Sequence, residues 1–271
     1  MTRGEAMFAN YAEKLGEFDV IGIENLRMVA SQQGITVLEA EMAALREGFV
    51  PRRYIANVRF WGVQGQLKLL SSKAVVVGCG ALGGMLCELL TRLGVGEIDM
   101  IDFDVFDESN LNRQIMCTER DMGKSKASCA KERAGQINSA VCARAIHTRL
   151  DASNALSLIE GCDVVLDGLD NAGDRLALED ACLKSRIPLI HGAISDSMFQ
   201  VAPIVHQSLF DNLYAGGLEN PVAGTPSCTA AACAAIQTGE AVKILLGIGD
   251  VAAGAILRCD WLFWSGNVIE L

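Results

Sequence analysis

From residue 73 onward, short β-rich runs alternate with longer helical stretches, and this alternation limits the folds open to the chain more than any other feature. The β-rich runs occupy residues 73–78, 97–102, 143–148, 162–168, 187–192 and 200–206. The helical stretches occupy residues 81–93, 123–138, 153–160 and 172–185. Strands that alternate with helices of this length build parallel sheets through right-handed crossovers. The sequence therefore predicts an α/β fold with a Rossmann-like, doubly wound, mostly parallel sheet and flanking helices.

The chain continues beyond these alternating elements at both ends. Residues 23–48 have the pattern of two helices, the second opened by a capping box at Thr36. The pattern after residue 228 predicts a helix ended by Gly247 and then a C-terminal strand pair within 255–271. The predicted regions are an N-terminal helical arm over 1–50, a main domain over 51–271 and, within it, a long loop over 207–228.

Charge and hydropathy restrict the partners of the chain. Its formal charge is −10, whereas nucleic-acid binding relies on clustered Lys and Arg. The N-terminus has no signal-peptide core, and no apolar run approaches the roughly 18 residues that span a bilayer. Ten cysteines without a CxxC pair indicate reduced thiols in the core. We expect a soluble, cytoplasmic protein that binds neither nucleic acid nor a membrane.

The first β-rich run leads into a loop that fits the pattern GxGxxG before a helix. Such a loop lets backbone N–H groups and the helix dipole meet a phosphate. The residues predicted to form this cradle are Gly78, Gly80, Ala81, Leu82 and Gly83. Asp102 ends the next strand, where an acidic residue would hold a ribose hydroxyl. By itself this motif suggests an NAD-dependent dehydrogenase, but one glycine loop is weak evidence.

The segment 102–114 favours a polyphosphate over a nicotinamide. It carries four carboxylates, among them Asp102 and Asp104, together with amide side chains and Arg113. A guanidinium can bind two phosphate oxygens at once. The alternative is a solvated polar loop with an internal ion pair.

Two lysines, Lys124 and Lys126, fall at the start of the predicted helix 123–138. Cations in a first helical turn oppose the helix dipole by about 0.3–1 kcal/mol each unless an anion lies there. We assign Lys126 to a phosphate ligand and Lys124 to the solvated surface.

A further acidic residue, Asp170, follows the strand 162–168, at the edge where open α/β sheets bind ligands. A carboxylate facing bound phosphates can coordinate Mg²⁺ with retained waters. The alternative is that Asp170 caps the next helix, a role for which Asn171 competes. The position at the end of the strand favours the magnesium role.

Together these segments resemble the MoeB/ThiF/HesA group, which shares its adenylating domain with ubiquitin-activating enzymes. The resemblance runs from about Arg53 to the C-terminus. It rests on the sequences GCGALGG, LGVGEIDMIDFDVFDESNLNRQ, GKSK, QIN, VVLDGLDN, AAIQTGEAVKILLG and GAILRCD. Several ordered motifs along most of the chain are more specific than one glycine loop.

The resemblance implies ATP and magnesium in place of NAD. It implies that a carboxylate attacks the α-phosphate to give an acyl adenylate and pyrophosphate, usually the C-terminal glycine of a ubiquitin-like sulfur carrier for thiamin or molybdopterin synthesis. It also implies a homodimer. By this resemblance Asp102 holds the ribose, Asn110 and Arg113 hold the phosphates with help from Gln114, Lys126 holds the α-phosphate region, and Asp170 holds magnesium. Asp104 and Asn171 complete the predicted nucleotide site.

Two features depart from the family pattern, and one cysteine needs separate consideration. The family zinc site uses two CxxC pairs, which this chain lacks, so we predict no structural zinc. Ala56 stands where the family often has an arginine that reaches the partner's site, and Arg52, Arg53 or Arg59 are possible substitutes. Cys228, at the start of a helix, is a candidate nucleophile, although a cysteine that merely begins a buried helix is favoured.

Other functions stay open at this stage. Relatives of this type adenylate peptides or small carboxylates in other pathways. An NAD-linked oxidoreductase would need a hydride-site pair such as Tyr/Lys, and none stands out. A non-catalytic scaffold that binds the carrier is a third alternative.

Overall fold

The computed structural model describes residues 7–210 and 224–270, which form a large sheet with helices on both faces and a small N-terminal sheet. The strands are β1 (Ala12–Leu15), β2 (Phe18–Ile21), β3 (Phe49–Pro51), β4 (Lys73–Val77), β5 (Glu97–Ile101), β6 (Cys142–Ile146), β7 (Val164–Asp167), β8 (Leu189–Ser195), β9 (Met198–Ile204), β10 (Ala255–Asp260) and β11 (Ser265–Glu270). The helices are α1 (Ile23–Gln33), α2 (Val37–Arg46), α3 (Ile55–Leu70), α4 (Ala81–Leu93), α5 (Lys126–Ile137), α6 (Ala155–Leu158), α7 (Ala172–Ser185) and α8 (Ser227–Leu246).

The large sheet has the strand order β11-β10-β9-β8-β7-β4-β5-β6. Strands β4 to β8 run parallel to their neighbours within this set. The chain adds β5 and β6 on one side of β4 and then returns to add β7 and β8 on the other. The order therefore reverses between β4 and β7, which is the point where open α/β sheets bind ligands. The predicted Rossmann-like fold is confirmed.

The other end of the sheet is antiparallel. A tight turn joins β8 to β9, with Ser195 opposite Met198, and β10 pairs with β9. The predicted C-terminal strand pair is confirmed as β10 and β11. Most of the predicted loop 207–228 lies outside the described residues, but the helix after it begins at Ser227 and ends at Gly247, as predicted.

Two apolar cores lie on opposite faces of the large sheet. Val76 of β4 packs with α4, α5 and α8 on one face, whereas its neighbour Val75 packs with α6 and α7 on the other. Because both faces of these parallel strands are buried, their sequences are continuous apolar runs rather than alternating ones. Within the described ranges no helix is long and apolar enough to cross a bilayer.

The start of α5 differs from its prediction. The predicted helix began at residue 123, but α5 begins at Lys126 because the Ser125 side chain caps it by accepting from Ser128 N. Lys124 therefore precedes the helix and pairs with Asp121 on the surface at 2.9 Å. Lys126 is the cation in the first turn.

The N-terminal region contains the two predicted helices, α1 and α2, and the predicted capping box between Thr36 and Glu39. It also contains a three-stranded sheet that was not predicted. Strands of three or four residues are too short to show a period-two pattern. The parallel pairing of β2 with β3 crosses the predicted boundary at residue 50, and the division into two domains stays a prediction.

A buried polar cluster joins this region to the large sheet domain. Tyr54 donates to Glu41 Oε2 at 3.0 Å and accepts from Asn138 Nδ2 at 2.8 Å. Arg53 pairs with Glu41 at 3.3 Å and donates to Asn138 Oδ1. Burial raises the pKa of the Glu41 carboxyl to about 7, although the Arg53 charge and the Tyr54 hydroxyl act in the opposite direction.

This raised pKa predicts that the contribution of Glu41 to folding stability falls as the pH rises from 5 to 8. The buried His191, whose pKa is lowered by burial, acts in the opposite direction over part of this range. The folded protein keeps the Glu41 proton up to about pH 7, whereas the unfolded chain loses it near the ordinary value of 4.5. The stabilisation is therefore complete below pH 4.5 and is lost through pH 7, and Glu41 contributes about 2 kcal/mol to the fall. Chemical denaturation at pH 5 and pH 8 should show that the wild type loses about 2 kcal/mol relative to Glu41→Gln as the pH rises. Equal pH dependence in both proteins would contradict the assignment.

Candidate functional site

A cleft of about 440 Å³ opens at the carboxyl ends of the parallel strands, at the switch point between β4 and β7. Its volume is in the range of small-molecule and nucleotide sites. Most of the predicted nucleotide-site residues line it, although they come from segments far apart in the chain: Gly78, Gly80, Ala81, Leu82, Asp102, Asp104, Arg113, Gln114, Lys126, Asp170 and Asn171.

The glycine loop connects β4 to α4 in a very tight turn. Gly78 has φ +87°, and a Cβ there would lie 2.5 Å from the carbonyl oxygen of Gly168. A Cβ on Gly83 would lie 1.6 Å from the carbonyl oxygen of Gly78. Gly83 is therefore needed for close packing of α4 on the loop and does not line the cleft. Gly80, Ala81 and Leu82 do line the cleft. They lie at the N-terminus of α4, where backbone N–H groups lack helical partners.

Asp102 orients the loop as well as facing the cleft. Its Oδ2 accepts from Cys79 N at 2.7 Å, and its Oδ1 accepts from Asp104 N at 2.7 Å. These bonds fix the carboxylate at the end of β5, in contact with the glycine loop and at the wall of the cleft. This is the position that a ribose-binding carboxylate requires.

Lys126 enters the cleft from the first turn of α5 and is largely buried. Its Nζ donates to Asp104 Oδ2 at 2.6 Å, and this hydrogen bond holds the pKa of the Asp104 carboxyl below its usual range. The lysine is thus held at the cleft wall by a partner that is half exposed. A phosphate oxygen can take over this contact when nucleotide binds.

Arg113 and Gln114 line the cleft at the end of the 102–114 segment. Arg113 Nη1 donates to Ser109 O at 2.7 Å and to Asn112 Oδ1 at 2.8 Å, which holds the guanidinium in place. Gln114 is buried, and its Oε1 has no hydrogen-bond partner among the described residues. A buried acceptor without a partner is costly, so this amide suits a ligand hydroxyl or N–H.

Asn110, predicted to bind phosphate, is not among the residues that line the cleft, and its phosphate role stays a prediction. Its Oδ1 accepts from Asp107 N at 3.1 Å and closes a short turn. The side chain is buried and does not belong to the cleft wall. Asn110 therefore shapes the loop that carries Arg113.

The competition between Asp170 and Asn171 for the helix cap is decided by geometry. Asn171 is the N-cap of α7, since its Oδ1 accepts from Asp174 N at 2.9 Å. Asp170 precedes the cap, is exposed and lines the cleft. The carboxylate predicted to hold magnesium therefore lies at the end of β7 and does not cap the helix.

The donor set of the cleft fits magnesium better than zinc. Within 7–210 and 224–270, no three His, Cys, Asp or Glu side chains gather as a metal site. Mg²⁺ needs only one or two carboxylates, because waters and substrate phosphates complete its octahedron. Asp170 lines the same cleft as Arg113 and Lys126, so one carboxylate is available there for such a site. The absence of a structural zinc stays a prediction.

The cleft contains residues that the sequence did not reveal. Thr148 and Arg149 follow β6, and Arg175 comes from the second turn of α7. Arg149 pairs with Asp174 at 3.3 Å and lies 5.4 Å from the Phe103 ring centroid. Thr148 and Arg149 could have been identified, because they lie at the end of the predicted strand 143–148. No sequence signal marked Arg175.

One rim of the cleft is formed by Ser195, at the end of β8, and Thr225, just before α8. Asp196, in the β8–β9 turn, donates its backbone N–H to Gly224 O at 2.8 Å and accepts at its side-chain Oδ1 from Gly224 N at 2.7 Å. Its carbonyl oxygen accepts from Thr229 Oγ1 at 2.7 Å, and Trp261 Nε1 donates to that hydroxyl at 2.8 Å. A continuous chain of hydrogen bonds thus joins the β10–β11 hairpin to the rim.

Cys228 and the arginine candidates lie away from the cleft. Cys228 is exposed at the second residue of α8 and is not part of the cleft wall. Arg52 pairs with Glu13, and Arg59 lies 6.0 Å from the Phe18 ring centroid. Arg53 belongs to the Glu41 cluster. None of the three arginines lines the cleft of its own chain.

Comparison with known proteins gives relatives along most of the chain. The sequence model of the ThiF family matches residues 52–269. The SAMP-activating enzyme E1 of Haloferax volcanii is 36% identical over 213 residues, which are 73% of this chain and 76% of that protein. The probable adenylyltransferase/sulfurtransferase MoeZ of Mycobacterium tuberculosis is 34% identical over 225 residues, 78% of this chain and 57% of MoeZ. The chain thus spans little more than half of MoeZ.

Solved structures agree on the fold. Escherichia coli MccB in complex with MccA-N7isoASN superposes with a TM-score of 0.73 at 20% identity, over 81% of this chain and 71% of that one. A structure of MccB with ATP superposes with a TM-score of 0.71, also at 20% identity, over the same shares of the two chains. At this level of identity the likeness concerns the fold alone.

Proposed function

Because the chain belongs to the ThiF family, we propose that it is an ATP-dependent adenylyltransferase whose substrate is the C-terminal glycine of a small ubiquitin-like sulfur carrier. Its two relatives named above are an E1 that activates SAMP and an adenylyltransferase. The match covers 57% of MoeZ, so the proposal concerns adenylyl transfer alone.

One observation carries the proposal. Asp102, Arg113, Lys126 and Asp170 come from four separate segments and line a single cleft next to a glycine loop. A dinucleotide site would use the loop and Asp102, but it would have no need of the other three. Two cations and a carboxylate at one end of a nucleotide cleft suit the triphosphate of ATP with its metal.

The chemistry needs charge neutralisation rather than a base. A C-terminal carboxylate is ionised at pH 7, and one of its oxygens attacks the α-phosphorus of ATP. The new P–O bond forms as the bond to the bridging oxygen breaks, and pyrophosphate leaves with the electron pair. Lys126 and Arg113 stabilise the charge that develops on the phosphoryl oxygens. Magnesium bound at Asp170 would supply further neutralisation of the leaving pyrophosphate.

The pathway and setting belong to the same proposal. A carrier for thiamin or molybdopterin synthesis fits the family, and the enzyme would act as a homodimer in the cytoplasm, where ATP is abundant. All ten cysteines are free thiols, as expected in a reducing compartment. A peptide or small-molecule carboxylate is the alternative substrate. Cys228 as a nucleophile stays a prediction.

The proposal predicts ATP–pyrophosphate exchange that depends on a free C-terminal carboxylate. A carrier that ends in Gly-Gly should support exchange of labelled pyrophosphate into ATP, and the same carrier with a C-terminal amide should not. Exchange with a short peptide or a small acid, but not with carriers, would favour the alternative substrate. ATP binding by calorimetry without exchange on any carboxylate would favour a scaffold, and tight NAD binding would contradict the nucleotide assignment.

A further inference from the structure

Arg175 is a buried arginine beside the proposed magnesium carboxylate. It lies in the second turn of α7, is 8% exposed and contributes to the wall of the cleft. Its Nη2 donates to the carbonyl oxygen of Leu169 at 2.6 Å and to that of Gly192 at 3.2 Å. One guanidinium nitrogen thus ties the loop after β7 to the neighbouring strand β8.

A fully buried carboxylate holds this guanidinium. Asp167 Oδ2 lies 3.2 Å from Arg175 Nε and 2.7 Å from His191 Nδ1. Burial alone would raise the pKa of Asp167, but the Arg175 charge and the His191 hydrogen bond outweigh burial and hold it below the usual range. The backbone of Asp167 is fixed as well, since its carbonyl oxygen accepts from Gln237 Nε2 at 3.0 Å.

These contacts immobilise the backbone on both sides of Asp170. Leu169 N donates to Asp167 Oδ1 at 2.9 Å, while Leu169 O accepts from Arg175. On the other side, Asn171 is fixed as the cap of α7. Asp170 therefore lies between two residues whose backbone is fixed. Its own Cα is held in place on the cleft wall, which limits the positions that its carboxylate can reach.

We propose that Arg175, held by Asp167, is a positioning residue that sets the Asp170 carboxylate in place for the divalent cation of the nucleotide complex. The inference deepens the proposed function and rests on it. The guanidinium contacts the two carbonyl oxygens through Nη2 and faces the carboxylate with Nε, two nitrogens held apart in one rigid plane. A lysine cannot reproduce that spacing, because its donors radiate from a single nitrogen. Residues that orient metal ligands typically change metal affinity 10- to 100-fold when they are replaced.

The test measures cation affinity rather than turnover. Mn²⁺ binding to the full chain with a non-hydrolysable ATP analogue is followed by electron paramagnetic resonance in the wild type, Arg175→Lys, Asp170→Asn and Glu179→Gln. Glu179 is the matched control, because it is a buried polar residue of the same helix. It accepts from Leu209 N and Phe210 N and does not line the cleft. Nucleotide affinity without metal and thermal unfolding are measured in parallel.

The expected result is that Arg175→Lys raises the Mn²⁺ dissociation constant about 10- to 100-fold and leaves metal-free nucleotide affinity unchanged. Glu179→Gln should lower the unfolding temperature without changing Mn²⁺ affinity. If Arg175→Lys does not fold, Asp167→Asn loosens the same guanidinium and should give the same shift.

Two results would overturn the inference. One is wild-type Mn²⁺ affinity in the Arg175 or Asp167 variant while Asp170→Asn binds the cation weakly. This outcome leaves the proposed function intact. The other is wild-type Mn²⁺ affinity in Asp170→Asn itself, which removes the metal assignment on which the inference depends.

Discussion

Replacement of Lys126 by alanine is expected to lower the rate of ATP–pyrophosphate exchange by about 100- to 1000-fold, the usual cost of removing one preorganised charge from a transition state. Lys126 is almost buried and is aimed into the cleft by Asp104. In the alanine variant, water would occupy this position without supplying a positive charge to the phosphoryl group. Arg113→Ala should have an effect of the same order, because hydrogen bonds to Ser109 O and Asn112 Oδ1 fix the Arg113 guanidinium at the cleft.

The neighbouring Lys124 provides the matched control. It is exposed, pairs with Asp121 and does not line the cleft, so Lys124→Ala should keep wild-type exchange. All three variants should unfold at nearly the wild-type temperature, since the carboxylate that Lys126 leaves behind at Asp104 is half exposed and can be solvated. Near wild-type exchange in both Lys126→Ala and Arg113→Ala would refute their assignment.

The substitution Gly83→Ala is expected to abolish nucleotide binding and to destabilise the fold. The added methyl group would lie 1.6 Å from the carbonyl oxygen of Gly78, a backbone atom that cannot move without opening the β4–α4 turn. Overpacking of a tight interior typically costs about 1–3 kcal/mol or more. Because α4 must shift, its N-terminal N–H groups lose their alignment with the cleft. Calorimetric titration with ATP and thermal unfolding measure the two effects.

Gly135→Ala is the control for this second prediction. Gly135 is also helical, but a Cβ there meets nothing within 4 Å. Alanine is preferred over glycine in a helix by about 1 kcal/mol, so this variant should be slightly more stable and should bind ATP normally. A Gly83→Ala protein with wild-type stability and ATP affinity would show that the turn is not as tight as the structure has it.

The parts of the site that the sequence predicted share one property. Asp102 and Asp170 follow apolar runs that are recognisable as strands, and Lys126 opens a recognisable helix. Parallel strands bring their carboxyl ends to one edge of a sheet. Local patterns together with that rule were therefore enough to place these side chains in one cleft, and the structure places them there.

The parts that were missed have three different causes. Arg175 acquires its surroundings from Asp167 and from Gly192 on the adjacent strand, and nothing near it in the sequence indicates either contact. Asn110 has the residue type of a phosphate ligand, yet its amide closes the turn that begins at Asp107. The strands of the N-terminal sheet are stabilised by pairing with one another, and three or four residues carry too little pattern to reveal it.

The hydrogen bonds from Trp261 through Thr229 to Asp196 have an optical consequence. They place the Trp261 indole two hydrogen bonds from the rim of the cleft. A movement of the rim would therefore change the surroundings of this indole, on which its fluorescence depends. Trp264, on the same hairpin, is 96% exposed, so its surroundings are mostly water. The chain contains three tryptophans. Once Trp61 and Trp264 are replaced by phenylalanine, the remaining indole is an intrinsic fluorophore that reports on the cleft without a label.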